Sequence, residues 1–458
     1  MTLFGGQLSY IAVTVLAVKL LYSKRFSLSA FILAGLLQYE ITALDESATG
    51  QSESQPASVS KDSLSAKATT KKRRKRIEKE KRTQMNLGIA DKIVQVCLSR
   101  EALEETEFFD VYDNLVFFGV IVLVNNLAGA VGQYFLQTPN TLAPILTVAG
   151  AMIGIYSLAK VEVFSDLTPR REKMSIAVIG LVGFFLSFFI LLLAPVSVIN
   201  FRIEPAAANF KQAMDEGIRS LGKQDQGSLP SVNLDPIVLA FGLAIFAGGL
   251  SAVLFTAVTR VIRCHQLMLF PPEQLKEHLF FGLVPKTLVQ GQMLLVVACC
   301  IFWLDPLVEI FELSNDSLQK LRIAVFLVWA AVQISLIRPL MQAYFHGALV
   351  QWYNLRHFGG TKKDEDHISK QIQMKVMVNT YIACKVAIQV LAPPLILACW
   401  SSLMLSRGIP SLAPPDQGMF RTDFVFCIAG FLGWWTCLSW AVYSMLTLSM
   451  FRMGLLIS

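Results

Sequence analysis

The sequence predicts an all-α membrane protein, a polytopic bundle of about nine transmembrane helices. Three observations predict it: 54% of the 458 residues are hydrophobic, only 16% are charged, and the apolar residues cluster in runs long enough to cross a bilayer. Soluble domains carry about 25% charged residues. The formal net charge of +7 comes from cations concentrated in loops, so membrane orientation explains it better than nucleic-acid binding.

The chain opens with a predicted transmembrane anchor at residues 1–25. Its apolar run (3–22) is followed, not preceded, by cations, which is the reverse of a cleavable signal peptide. We therefore expect a retained anchor with its N-terminus outside. The next segment (26–44) is apolar but interrupted by Gln38 and Glu40. We interpret it as a membrane-surface or re-entrant segment, with a full span as the alternative.

Residues 45–106 form a predicted cytosolic loop. Its part 45–86 is rich in Ser, Thr, Ala, Gln and Lys with almost no large apolar residue, so it buries too little surface to fold and is expected to be disordered. The basic run KKRRKRIEKEKR at 71–82 has two interpretations. It fixes the loop in the cytosol, which we favour, or it binds anionic lipid at about 1 kcal/mol per cation.

An eight-span bundle is predicted over residues 107–458. Placing the basic run in the cytosol makes the inner loops rich in Arg and Lys, whereas the outer loop 305–319 holds four acids and no cation. This charge asymmetry predicts nine spans with the N-terminus out and the C-terminus in. The eight predicted spans are 114–135, 141–159, 175–199, 236–259, 287–304, 321–345, 376–402 and 424–450.

Two features fall in the predicted outer loops. The loop 200–235 includes a stretch at 206–222 whose apolar residues recur at helical spacing, which predicts a short amphipathic helix. The loop 305–319 holds the N-x-S/T sequon that begins at Asn315. Asn315 is therefore a candidate glycosylation site.

No catalytic signature occurs: there is no HExxH, no GxSxG, no Walker loop and no GxGxxG after a strand. The eight cysteines show no CxxC spacing, which argues against a zinc knuckle. The five histidines fit no ligand pattern and are expected to be solvated. We therefore expect a protein that is not an enzyme, with no catalytic residue, metal or cofactor.

Charged residues at membrane depth are the informative positions. Arg338 lies about 10 Å inside the predicted span 321–345, and Lys385 lies at comparable depth in the predicted span 376–402. Burying each cation costs a few kcal/mol, so counter-charges or water should accompany them. The alternative is that both side chains snorkel to inner headgroups and only hold the helices in register. Pro393 and Pro394 are expected to break the helix of the span 376–402 close to Lys385.

The acids and polar residues at the same end complete a predicted inward-facing cavity. Its candidate residues are Arg338, Gln342, Lys385, Gln389, Glu162, Asp110 and Asp113, with Arg260 and His265 at its inner mouth.

Several stretches resemble the transmembrane protein 161 family. They are Arg338, Gln342-Ala343-Tyr344, His367-Ile368-Ser369, Gln389 with Ala392-Pro393, Lys160-Val161-Glu162 and the final span with Trp434-Trp435. The likeness covers most of 107–450 and implies a multi-pass membrane protein without an agreed activity. It departs at Lys385, where the family leads us to expect an apolar residue. On the resemblance alone, the better candidates for functional residues shared with the family are Arg338, Gln342, Gln389 and Glu162.

Two hypotheses of function follow. The first is a membrane protein that influences ion or small-solute flux, as a transporter-like body or a channel regulator, through the cavity around Arg338. The second is a scaffold or trafficking adaptor whose basic run (71–82) recruits partners or anionic lipid. The expected partners are the lipid bilayer, anionic lipids and other membrane proteins, with no nucleic acid. Plasma membrane and endomembrane both remain open.

Overall fold

A computed structural model describes residues 2–23, 26–42, 83–84, 92–136, 142–195, 197–211, 235–279, 281–306, 314–358, 365–407 and 422–454. Within these ranges the α-helices are α1 (Thr2–Leu21), α2 (Leu28–Leu33), α3 (Arg100–Glu104), α4 (Phe109–Leu136), α5 (Leu142–Glu162), α6 (Arg170–Leu193), α7 (Pro236–Leu269), α8 (Leu283–Ile301), α9 (Asn315–Ser335), α10 (Ile337–Phe358), α11 (Glu365–Tyr381), α12 (Ala383–Arg407) and α13 (Thr422–Arg452). The strands are β1 (Tyr22–Ser23), β2 (Phe26–Ser27), β3 (Leu37–Thr42), β4 (Thr83–Gln84) and β5 (Lys92–Cys97).

Eight of the described helices are long and apolar enough to cross a membrane: α4 to α9, α12 and α13. Each overlaps one of the eight predicted spans of the bundle, so the all-α polytopic fold is confirmed. Of α1, only the shorter stretch Tyr10–Leu20 counts as an apolar helix. The ninth span and the orientation of the chain therefore stay predictions.

Helix α12 is the centre of the bundle. In its most apolar stretch, 83% of the residues are buried inside the protein, against 17% in α6. It packs against α4, α5, α7, α9, α10 and α13. A helix that is apolar all round and buried all round is a core helix. Helix α6, in contrast, leaves large side chains such as Phe185 and Phe189 exposed on the outside of the bundle, as expected for a surface that faces lipid.

Close approach of α6 and α7 depends on small residues. A Cβ atom added at Gly248 would lie 2.8 Å from the carbonyl oxygen of Gly180 and 2.9 Å from Cβ of Phe184. Real side chains do not tolerate such distances, so glycine at position 248 lets the two backbones pack directly. This is the small-residue packing that membrane helices use.

The structure corrects the predicted span at 321–345. Helix α9 ends at Ser335 and α10 begins at Ile337, so this stretch is two helices. Pro339 explains the interruption: it has no N–H to offer the carbonyl of Ser335, and its ring crowds that carbonyl. Arg338 therefore lies at the start of a separate helix and not inside a span.

The predicted span at 376–402 is also divided. Helix α11 ends at Tyr381 and α12 begins at Ala383, and the carbonyl of Tyr381 accepts a hydrogen bond from the backbone N–H of Glu107 (3.1 Å). Lys385 consequently lies in the first turn of the span. The expected break at Pro393 and Pro394 is wrong, because α12 runs through both prolines.

A small antiparallel sheet, which the sequence did not predict, covers one end of the bundle. Its strand order is β3-β5-β4, with Leu37 opposite Cys97 and Thr83 opposite Gln95. Residues 26–44 thus contribute α2 and β3, and the predicted loop 45–106 contributes β5 and α3 at its C-terminal part. The basic run 71–82 lies outside the described residues, as does most of 206–222, although 203–211 is helical.

We predict that Gly248→Ala lowers the free energy of unfolding by about 1–3 kcal/mol, because overpacking forces α6 and α7 apart. Gly249→Ala is the matched control, since no atom lies within 4 Å of its Cβ position. Denaturant titration of both variants in detergent micelles measures the difference. Equal stability of the two variants would contradict the close contact.

Candidate functional site

An ion-pair cluster joins the end of α5 to the start of α12. Glu162 is the last residue of α5, and Lys385 and Gln389 lie one turn apart on the same face of α12. Nζ of Lys385 donates hydrogen bonds to the carbonyl of Val161 (3.1 Å) and to Oγ1 of Thr168 (3.0 Å). The same Nζ lies 3.8 Å from Oε2 of Glu162, and Nε2 of Gln389 donates to Oε1 of that carboxylate.

Burial makes this cluster unusual. Glu162 is 1% exposed, Lys385 4% and Gln389 0%. At this separation the attraction is worth about 4 kcal/mol for an effective dielectric constant near 20, whereas desolvation costs several kcal/mol for each ion. The pair thus gains little over apolar side chains of the same size. A contribution to folding stability alone does not explain why two charged residues, Glu162 and Lys385, are buried at this position.

Arg338 does not join this cluster. It is exposed, and its Nη1 and Nη2 donate to the carbonyls of Phe31 (3.2 Å) and Ala34 (3.3 Å) at the C-terminal end of α2. Arg338 and Lys385 therefore have separate sets of contacts, and their common depth in the membrane stays a prediction. Arg338 instead caps the last carbonyls of a short helix, a role that cations fill well.

Gln342 ties α10 to the sheet. Its Oε1 accepts from the backbone N–H of Leu37 (3.0 Å), and its Nε2 donates to the carbonyl of the same residue (3.1 Å). These two bonds fix the orientation of the amide. Nε2 of Gln342 also lies 3.3 Å from Nε2 of His346, so that ring nitrogen must accept, and Nδ1 must carry the proton.

His346 is therefore a neutral histidine, and its Nδ1–H donates to Oη of Tyr39 at 2.8 Å. Burial lowers the pKa of His346 to about 4 and raises the pKa of Tyr39 to about 12. Helix α10 is not among the candidate spans. His346 and His265 are both buried, which contradicts the expectation that all the histidines are solvated.

The other predicted residues lie apart from the ion-pair cluster. Asp110 is exposed at the start of α4, and Asp113 accepts a hydrogen bond from Ser29. Neither forms an ion pair with Arg338 or Lys385, so of the three predicted counter-charges only Glu162 meets a predicted cation. Asn315 is the first residue of α9, and its glycosylation stays a prediction.

Arg260 lines a cavity of about 740 Å³ between α7, α10 and α11. Arg263 and Lys375 also line it, whereas His265, the other predicted mouth residue, does not. Ile382, at the junction of α11 and α12, lines the cavity three residues before Lys385. The sequence did not predict that Lys375 lines this cavity, because the predicted span 376–402 included the last part of α11. The low hydropathy of Glu365–Tyr381 was the available signal.

Within the described ranges, no group of three or more His, Cys, Asp or Glu side chains is placed to hold a metal ion.

We predict that Glu162→Gln and Lys385→Met each lower the free energy of unfolding by about 3–5 kcal/mol, because each leaves one buried charge unpaired. The double variant removes both charges and should recover most of the loss. Denaturant titration in detergent micelles tests this, with the exposed Lys276→Met as a control. Losses that simply add in the double variant would show that the pair is not coupled.

We also predict that His346 makes stability depend on pH. Its pKa is lower in the folded protein (about 4) than the ordinary value of 6.5, so the folded state loses about 3 kcal/mol of stability as the pH falls between these values and none above them. Thermal unfolding from pH 7 to pH 4 should show a steeper fall for wild type than for His346→Gln. Parallel curves would exclude this role.

The comparisons with known proteins agree with this architecture. The model of the family described as predicted transmembrane protein 161AB matches residues 2–408. No curated protein and no solved structure matches. The matched range contains the ion-pair cluster, the cavity and the sheet, and it ends just after α12. The chain therefore belongs to the transmembrane protein 161AB family of multi-pass membrane proteins.

Proposed function

We propose that this multi-pass membrane protein influences the flux of an ion or small solute, as a transporter-like body or as a regulator of a channel. The observation that carries the proposal is the buried cluster of Glu162, Lys385 and Gln389 within the helical bundle. Ionisable residues inside membrane proteins are rare and mark solute pathways, proton relays or gates. The proposal includes no enzymatic step and no cofactor.

Two neighbouring features support this function over a purely structural role. Oε1 of Gln389 is buried without a hydrogen-bond partner among the described residues, which leaves an acceptor beside the ion pair. The cavity at Arg260 is also lined by Ile382, three residues before Lys385 in the chain. Solute sites in membrane bundles combine such a polar, partly unsatisfied interior with a nearby opening.

A second candidate function is a scaffold or adaptor that recruits partners or anionic lipid through the basic run at 71–82. The placement of β4 favours it: Thr83 directly follows this run and pairs with Gln95 of β5. The sheet thus ties the end of the basic run to the covered end of the bundle. Deletion of residues 71–82 tests this candidate, because residues 43–70 still connect β3 to β4.

We predict that wild-type protein in liposomes changes the flux of at least one solute in a panel of monovalent ions, Ca²⁺ and small anions. The Glu162→Gln/Lys385→Met double variant should lose this flux although its stability is largely restored. The double variant separates the two roles, because a structural pair would restore flux together with stability. Lys276→Met, which changes an exposed cation, is the control and should keep full flux.

A regulator would show no flux alone. In that case, whole-cell currents are compared in cells that express wild type, the double variant or the 71–82 deletion. Loss of the effect in the double variant supports the proposal. Equal behaviour of the double variant and wild type in both measurements overturns it, and loss only in the deletion favours the adaptor.

A further inference from the structure

We infer that the cavity between α7, α10 and α11 binds a ligand that carries a phosphate monoester group. Three cations line it: Arg260 and Arg263 from α7, and Lys375 from α11. None of the lining residues in the described part of the chain is acidic. Arg263 and Lys375 are exposed, whereas Arg260 is half-buried, so Arg260 is the cation for which solvent compensates least.

Arg260 is the most informative of these cations. Its Nη1 is buried and has no hydrogen-bond partner among the described residues. A buried guanidinium N–H without an acceptor costs free energy, and native proteins rarely leave one unpaired. Arginine presents its donors as a planar fork that matches phosphate oxygens. A phosphate at this position would supply the missing acceptor.

Gly347 gives an independent indication that the space is kept open. It lies within α10 and lines the cavity, yet no atom lies within 4 Å of the position its Cβ would occupy. No close helix contact requires glycine there, and glycine inside a helix is unfavourable by about 0.5–1 kcal/mol relative to alanine. Gly347 therefore leaves space in the cavity that a larger side chain would occupy. A side chain at this position would project into the cavity.

The remaining walls define the class of ligand further. Tyr344, Asn354 and Asn379 offer polar groups, whereas Leu267, Met374 and Val378 are apolar. Met374 and Val378 are exposed, so the apolar side reaches the protein surface. At about 740 Å³, the cavity is far larger than inorganic phosphate needs. It suits a phosphate monoester with an organic part, either a lipid headgroup or a free phosphorylated molecule.

The test measures binding of two probes that share one headgroup. Glycerol 3-phosphate is titrated calorimetrically into full-length protein in phosphatidylcholine nanodiscs. Phosphatidic acid, which adds acyl chains to that headgroup, is measured by native mass spectrometry of protein taken from phosphatidylcholine vesicles that contain it. Both measurements use about 150 mM salt, where charges further apart than about 8 Å are largely screened. Binding of phosphatidic acid alone identifies a lipid ligand, and binding of glycerol 3-phosphate identifies a soluble one.

Two variants locate the binding. Arg260→Gln should weaken it at least about tenfold, as expected when a hydrogen bond to a charged group is lost. Gly347→Phe keeps every cation and places a bulky ring in the cavity, so it should weaken binding at least about tenfold, whereas Lys276→Gln should leave it unchanged. Binding of neither probe overturns the inference, as does equal binding by wild type and both cavity variants.

This inference stands apart from the proposed flux function. Binding is measured without a gradient, and the Glu162→Gln/Lys385→Met variant keeps all three cavity cations. That variant should therefore bind the probe as wild type does while it loses flux. Failure of binding with intact flux would remove the ligand site only, and failure of flux with intact binding would remove the proposed function only.

Discussion

The contact between Glu162 and Lys385 is the constraint on which this end of the bundle depends. It joins the last residue of α5 to the first turn of α12, and Lys385 also bonds Thr168 in the link to α6. One cluster thereby connects the end of α5 to the starts of α6 and α12. Further along the same pair of helices, Gly154 faces Ile396 so closely that a Cβ would lie 2.7 Å from its side chain. The polar contact sets the depth of α12, and the glycine contact sets its distance from α5.

The sheet and α2, which cover this end of the bundle, are held in place by hydrogen bonds between side chains and backbone groups. Gln342 bonds the N–H and carbonyl of Leu37 as a neighbouring strand would, and Arg338 closes the end of α2. Thr106 donates to the thiol of Cys384, so the approach to α4 is bound to the start of α12. The segments that cover this end of the bundle thus meet the ion-pair cluster at the junction of α11 and α12. A substitution in one of these two regions is expected to shift side chains in the other, because close-packed interiors transmit strain.

Hydropathy was sufficient to predict the eight spans of the bundle, because burial in lipid demands long apolar helices whatever their contacts. It failed where an apolar run continues past the membrane, as at 321–345 and 376–402. There Pro339 and the hydrogen bond from Glu107 to Tyr381 end the helices. The sheet was missed because β3 and β5 pair across a long separation in sequence, which local patterns do not reveal. Glu162, Lys385 and Gln389 were among the seven residues of the predicted cavity, but their mutual contact was not singled out. The family resemblance made Lys385 the weaker candidate and Arg338 the stronger.

The arrangement of charge links the cavity to the ion-pair cluster. Ile382, which lines the cavity with Arg260, lies three residues before Lys385, so the anion inferred at Arg260 would favour the charged form of Lys385 and thereby the ion pair. Linkage requires the reverse as well: any step that removes the charge of Lys385 alone weakens the binding of the anion. A step that neutralises Glu162 and Lys385 together leaves the net charge unchanged and has little effect on it. The inferred anion site and the ion pair would therefore be coupled through charge across the junction of α11 and α12.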